Sequence, residues 1–480
     1  MPIEDLPLAT EEASLITDDV AAEPVNGTSV AVELEPGPEK SVPVEAAPVE
    51  ATARLDSVDV LRGVALLGIL AMNIALFGWP YKVYHTPTAA PGYGWGDLAI
   101  WMVNHVVFDE KMMTIFSMLF GAGLVLMADR ADARGARLGK VYYRRIGVLL
   151  LIGLIHAYLI WEGDILVAYA LCGLFLYLFR RKSATTLVVL GVSLLSIAIV
   201  LWVVGRPIVL YLRDAAARVD AKVAAGETPS KSDQKAHDMW KNITKDSDGT
   251  PEKFEEAIQT HRGGYLGIVA KRAPQVAVMQ TMGFVFAFWW MVGGRMLLGM
   301  GLMKFGVFSA QRSTGFYRRL ALIGYGVGLP LVICDIAIDW YYGFFQANPV
   351  SYFTGGWWLF QEISSPFLAL GHVAMVMLLF KSGAASWLVR RLAAVGRMAL
   401  TNYLLTSIIC TTIFYGYGFG LYGRLHRPSL YLVVLGVWAF LFAISLPWLE
   451  RFRFGPAEWA WRSLTYGCPQ PFLRRDRAVS

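Results

Sequence analysis

Three groups of polar residues sit where an apolar chain tolerates them least, and their types suit acid–base or anion chemistry. In IHAYLIWEGD, His156 lies about two turns ahead of a tight hairpin that carries Glu162 and Asp164. An imidazole titrates near neutral pH, and a carboxylate on one ring nitrogen fixes the tautomer on the other. His156 is therefore the candidate general base, and Glu162 or Asp164 the group that orients it. Near the start of the apolar region, Asp59 and Arg62 are spaced i, i+3, so they share a helix face and can pair. Their pairing suits an anion or phosphate, and a topology anchor with a capping acid is the plainer alternative. Asn73, farther along the same run, and Arg397, Asn402 and Tyr403 in GRMALTNY are further candidates for binding a substrate or donor.

Other imidazoles are weaker signals. His105 and Asp109 are spaced i, i+4, which suits a proton relay, although an interfacial ion pair is the simpler reading. His372 is another imidazole at membrane depth, and His85 falls in a Gly- and Pro-rich loop. No Walker A, GxSxG or paired-histidine metal motif is present, so no metal site is expected. The four cysteines form no C-x-x-C pair and are expected to pack as small hydrophobes.

The elements that position these residues are read from composition and spacing. The 480 residues are 56% hydrophobic and 17% charged, with a mean hydropathy of +0.47. Soluble domains run at about 45–50% apolar and about 25% charged. The net charge of +6 comes in short clusters between apolar runs, which sets orientation in a membrane and does not indicate nucleic-acid binding.

Ten apolar stretches predict an all-α, polytopic membrane helix bundle. They cover 58–78, 98–127, 144–161, 164–180, 185–206, 276–303, 317–340, 366–381, 396–418 and 429–450. Alternate connectors carry Lys and Arg, which places both termini in the cytoplasm.

Five regions follow. Residues 1–52 form an acidic tail expected to be disordered. Residues 53–206 and 276–454 are two five-helix halves, separated by a polar helical insert at 207–275 on the outer side. Residues 455–480 hold an interfacial helix and a basic tail.

Four blocks, RLDSVDVLRGVALLGILAMNI, GLIHAYLIWEGDILVAYALCGL, VGRMALTNYLLTSIICTTIFY and GPAEWAWRSLTY, together resemble the bacterial YeiB-like membrane proteins, which carry a C-terminal domain of unknown function. The resemblance covers about residues 54–466 and implies a polytopic protein of the bacterial cytoplasmic (inner) membrane. The opening D-x-x-R-G block is also similar to that of membrane acyltransferases, which pass an acyl group from cytoplasmic acyl-CoA to an outer acceptor.

On that resemblance Asp59 and Arg62 match the opening motif, and His156 matches the G-x-I-H block. His85 is the one histidine in the loop that corresponds to the outer loop bearing the catalytic histidine of the related lysosomal enzyme. The expectation is therefore an acyltransferase acting on an envelope glycan, lipid or small-molecule acceptor. Acyl-CoA would be the donor, and no tightly bound cofactor is expected. The alternative is a secondary transporter or exporter of a small or lipid-like substrate. The bilayer is the expected partner, nucleic acid is not, and a homo-oligomer stays open.

Overall fold

In the computed structural model the described residues are 56–244, 251–341 and 358–474. The acidic tail 1–52, whose disorder was expected, and most of the connector 341–365 lie outside them.

The described chain is an all-α membrane-type bundle. Eight helices are long and apolar enough to cross a bilayer. Two helices meeting at 82°, Ser386–Arg397 and Ala399–Phe414, are long and apolar enough only when taken together, and a shorter apolar helix covers Leu166–Phe179. Each of the ten stretches read from the sequence corresponds to one of these. The first helix, α1 (Asp56–Gly78), is apolar on every side and is mostly buried, so it forms the axis of the bundle. Several outer helices bury less than a third of their apolar windows. They leave residues such as Val200, Val203, Leu322 and Leu432 exposed, as a lipid-facing surface requires.

Boundaries shift where helices outrun the bilayer. Short α2 (Tyr81–His85) precedes the second span. That span runs from α3 (Trp95–Val103) through a wide π-helical turn, Asn104–Phe108, into α4 (Lys111–Ala133). It breaks at Glu110, which adopts a left-handed φ of 60°. The next helix, α5 (Gly139–Ile155), ends in a second π-helical turn, His156–Ile160, followed by α6 (Leu166–Leu176).

The fifth span, α7 (Ala184–Ala224), continues straight through Pro207 for 41 residues. At 1.5 Å per residue that is about 60 Å, twice the hydrocarbon thickness of about 30 Å. Residue 207, where the insert was expected to begin, thus lies within α7. Its helix α8 (Lys231–Thr244) folds back on this extension through Leu212, Ala215 and Ala236. Two further helices, α9 (Pro251–Arg262) and α10 (Tyr265–Val278), follow, and α10 runs on into α11 (Trp289–Lys304). The remainder comprises α12 (Thr314–Tyr341), α13 (Trp358–Ser382), α14 (Ser386–Arg397), α15 (Ala399–Phe414), α16 (Arg427–Arg451) and α17 (Pro456–Tyr466).

Small residues permit the close helix crossings. A Cβ on Gly63 would run into the Leu392 carbonyl, and one on Gly396 would run into that of Asp59. The glycines of the D-x-x-R-G and V-G-R blocks therefore lock α1 against α14, as small residues do between membrane helices.

The basic connectors gather at one end of the bundle. Lys304 donates to the carbonyls of Arg180 (3.0 Å) and Lys182 (2.7 Å), Lys381 to that of Ala310 (3.0 Å), and the Trp461 indole to that of Arg145 (2.8 Å). The insert, the 161–165 hairpin and the 415–426 loop meet at the opposite end. There the Gly416 N–H donates to the His261 carbonyl at 2.8 Å and the Tyr265 hydroxyl to the Leu159 carbonyl at 2.9 Å.

Candidate functional site

The site is assembled from two helix ends and one buried helix face. Asp164, in the hairpin, lies just ahead of α6 and caps it, with its Oδ2 accepting the Val167 N–H at 2.8 Å. Its Oδ1 lies 2.9 Å from His156 Nδ1. With the proton on Nδ1, the imidazole donates to the carboxylate and leaves Nε2 as an acceptor. Nε2 lies 2.9 Å from the hydroxyl of Ser407, on α15. His156 is fully buried and Ser407 is 1% exposed. A serine, an imidazole and a carboxylate are thus joined in one buried hydrogen-bonded chain.

The serine helix is fixed from outside the bilayer-length segments. Glu458, on α17, accepts the N–H groups of Leu400 (2.7 Å) and Thr401 (3.1 Å) and the Thr401 hydroxyl (2.5 Å). It caps the otherwise unsatisfied start of α15 and sets the height of Ser407. Burial pushes the Glu458 carboxyl above its usual range, and these hydrogen bonds offset only part of that rise. The helix expected to serve as an interfacial anchor therefore also acts as a cap.

Beside Ser407 is a cavity of about 10 Å³, room for about one water molecule. Asn73, Trp161, Tyr403, Thr406 and Ser407 line it, and apolar residues of α1 close it. The Tyr403 ring lies 5.0 Å from that of His156. Trp161 stacks on Phe77 at 3.9 Å, and its buried indole N–H has no acceptor. This leaves an unused donor on a residue of the cavity wall.

The structure thus brings together His156, Asp164, Asn73 and Tyr403 among the residues singled out in the sequence. Glu162 goes elsewhere. It sits 3.4 Å from Arg272 and 3.5 Å from His261, both from the insert, and so ties the hairpin to α9 and α10. Burial opposes its ionisation, but the His261 hydrogen bond and the Arg272 charge outweigh this and hold its carboxyl at about 2.

Asp59 and Arg62 do pair, at 2.8 Å, but at the basic end. Eleven residues of helix put Arg62 about 16 Å from Asn73 along α1. Arg397 is half-buried at the same end, at the close of α14. Asn402 bridges the α14–α15 bend, with its amide donating to Val395 O and Ser445 Oγ at 3.1 Å each. His372 donates to its own helix at Leu368 O, 2.6 Å away. Burial holds the His85 imidazole down at about 3, which unsuits it to proton transfer near neutral pH.

Thr406 and Ser407 read in the sequence only as hydroxyls suited to helix–helix contact, and Trp161 only as part of the hairpin, so none of the three was a candidate site residue. Ser407 is one hydroxyl among many in LTSIICTT, and nothing in its spacing marks it. His105 and Asp109 are not an interfacial pair either, because both are buried and His105 Nε2 lies 2.8 Å from Asp335 Oδ2.

A family model described as a protein of unknown function (DUF418) matches residues 302–468. The chain is 32% identical to the uncharacterized protein YeiB of Escherichia coli (strain K12), over 87% of this chain and 98% of that protein. It is 30% identical to the uncharacterized protein YxaH of Bacillus subtilis (strain 168), over 90% and 98%. It is also 24% identical to an uncharacterized 39.9 kDa protein in the amylase 3′ region of Bacillus acidopullulyticus, over 90% and 99%. No solved structure matches.

Proposed function

Since the chain belongs to the YeiB family, with its DUF418 region, we propose that it is an acyltransferase of the bacterial cytoplasmic membrane with both termini in the cytoplasm. One observation carries this reading: the buried chain Ser407–His156–Asp164, at 2.9 Å per link. Nucleophile, base and orienter in that order are the arrangement that activates a hydroxyl for acyl transfer.

His156 Nε2 takes the Ser407 proton as Oγ attacks the donor's thioester carbonyl. The C–O bond forms, the C–S bond breaks, and His156 returns the proton to the departing thiol. An acceptor hydroxyl, deprotonated by His156 in turn, then attacks the acyl-serine and frees Ser407. Asp164 holds the Nδ1 proton and stabilises the imidazolium in both halves. The free indole N–H of Trp161 is suited to the oxyanion. Tyr403 and Asn73 would position the acyl group and the acceptor.

The positive-inside rule turns the basic end to the cytoplasm. Arg62 and Arg397 there would hold the phosphates of an acyl-CoA, near the start of α15, which lies about 12 Å of helix rise from Ser407. The acceptor, an envelope glycan, lipid or small alcohol, would arrive from the end covered by α9 and α10.

The test is to incubate the protein in liposomes with labelled acyl-CoA and locate the acyl group by mass spectrometry. An adduct on Ser407, absent from Ser407→Ala and trapped or slowed in His156→Ala, is expected. Undiminished acyl transfer by folded Ser407→Ala would overturn the proposal. A second reading, secondary transport, is favoured by a different feature, the fully buried Arg295 between Glu110 and Glu362. Substrate-driven flux in liposomes without acyl-CoA would support it.

A further inference from the structure

A second set of buried charges shares no residue with the Ser407 cavity. It forms where the second span breaks at Asp109 and Glu110. Lys111 is fully buried and donates to the His105 carbonyl at 2.6 Å. Arg295 of α11, also fully buried, bonds Glu110 at 2.8 Å and Glu362 of α13 at 3.1 Å. The Asp109 carboxylate accepts from the Gln361 amide at 2.9 Å and from the Tyr84 hydroxyl. His105 lies between Asp109, at 3.5 Å, and Asp335 of α12, at 2.8 Å.

The unmatched part belongs to α12. Asp335 is fully buried, and its Oδ1 has no hydrogen-bond partner. Asp339, one turn on and on the same face, is 5% exposed, and its Oδ1 also has none. It lies within electrostatic reach of both Asp335 and His105. Among the described residues, the carboxyls of Asp109, Glu110, Asp335, Asp339 and Glu362 thus face three cationic side chains, Lys111, Arg295 and Arg427, together with His105. Even a charged His105 leaves one carboxyl unmatched. A buried carboxyl without a counter-charge is costly to keep ionised, and taking up a proton removes that cost.

The groups facing Asp335 and Asp339 are His105, Asp109 and Lys111 from the second span. The neighbouring α13 contributes Gln361 and Glu362, and its His372 has Nδ1 engaged with its own backbone. Arg427 is buried, donates its guanidinium to the Val83 and Tyr84 carbonyls, and lies within electrostatic reach of Asp109, so its charge bears on that carboxylate and not on the α12 pair. Among the described residues, none of these groups bonds the Oδ1 of Asp335 or of Asp339.

We propose that Asp335 and Asp339 form a proton-binding site within the membrane domain, gated by the bond between His105 and Asp335. The carboxyl pair takes a proton onto an unpartnered oxygen, forming an O–H bond. It returns that proton to water at the end remote from the basic connectors. Breaking the His105 contact lets Asp335 rotate and exchange its proton. The site is separate from acyl transfer and would serve transport equally, so its test does not depend on either function.

Dicyclohexylcarbodiimide, an apolar reagent that couples to protonated carboxyls, tests it on the full-length protein in liposomes. Mass spectrometry should place an adduct on Asp335 or Asp339 at neutral pH. Its yield should fall as pH rises and stay indifferent to sodium ions and to Ser407→Ala. Suppression by sodium at fixed pH would overturn the proton assignment, and loss of labelling in folded Ser407→Ala would overturn the separateness of the two sites. Infrared spectroscopy removes the question of reagent access. The protonated-carboxyl band present at neutral pH should shrink in Asp335→Asn or Asp339→Asn, and an equal band in both variants would overturn the proposal.

Discussion

Replacing Asp164 by Asn is the most discriminating perturbation of the proposed relay. The carboxylate accepts two donors, His156 Nδ1–H at 2.9 Å and the Val167 N–H at 2.8 Å. An asparagine has one oxygen and one amide for the same two neighbours. Aiming the amide at the Val167 N–H would leave a buried backbone donor unsatisfied, which costs about 1–3 kcal/mol. Aiming it at His156 only asks the imidazole to move its proton from Nδ1 to Nε2. The second arrangement is therefore favoured, and it turns Nε2 into a donor that cannot take the Ser407 proton. The equivalent tautomer error in a serine protease costs about 10⁴-fold in rate, or about 5 kcal/mol of transition-state stabilisation. The same change removes only one charge-assisted bond from the fold, about 1.5–3 kcal/mol. Single-turnover acyl transfer in liposomes, paired with thermal unfolding in detergent, separates the two. The expected result is a folded protein with its transfer rate down by about four orders of magnitude. A folded Asp164→Asn protein within about tenfold of the wild-type rate would refute the relay.

Three other outcomes follow from the packing and the charges. Gly63→Ala places a methyl group against the Leu392 carbonyl, so α1 and α14 must part. The expected loss is about 1–3 kcal/mol, read by thermal unfolding in detergent. Glu162 has its pKa held at about 2 against an ordinary 4.5, so its ionised form is bound more tightly in the folded state. The stabilisation it gives is complete above 4.5 and disappears as pH falls through 2. Hydrogen exchange of α9 and α10 should loosen over that window, whereas Glu162→Gln should be looser throughout and show no such dependence. Glu458 is shifted the other way, so its contribution is greatest below its ordinary pKa and fades as pH rises through the raised value. Unfolding at neutral pH should show Glu458→Gln tolerated and Glu458→Ala weaker by about 1–2 kcal/mol, the usual cost of a lost helix cap.

The spans were legible in the sequence because apolar runs of bilayer length leave few other options, and their ten locations correspond to helices in the structure. The ends of those spans were not. Hydropathy stops at Arg206 and Pro207, yet α7 runs on to Ala224, because α8 supplies an apolar partner for the extension. The interruption at Glu110 was equally hidden, since the second span carries its charges toward Arg295 and Asp335, residues nearly two hundred positions or more away.

His156 and Asp164 were visible as candidates because an imidazole beside acids in an apolar run is conspicuous on its own. Sequence alone determined that these groups are buried at the end of a span, since that follows from local polarity and run length. Only the tertiary structure decided between Glu162 and Asp164. One faces Arg272 and His261 of the insert, while the other faces the imidazole. Only the tertiary structure added Ser407, 251 residues from His156. A hydroxyl costs little in a membrane helix and so leaves no trace in composition, and its chemistry comes from the neighbour that packing places 2.9 Å away.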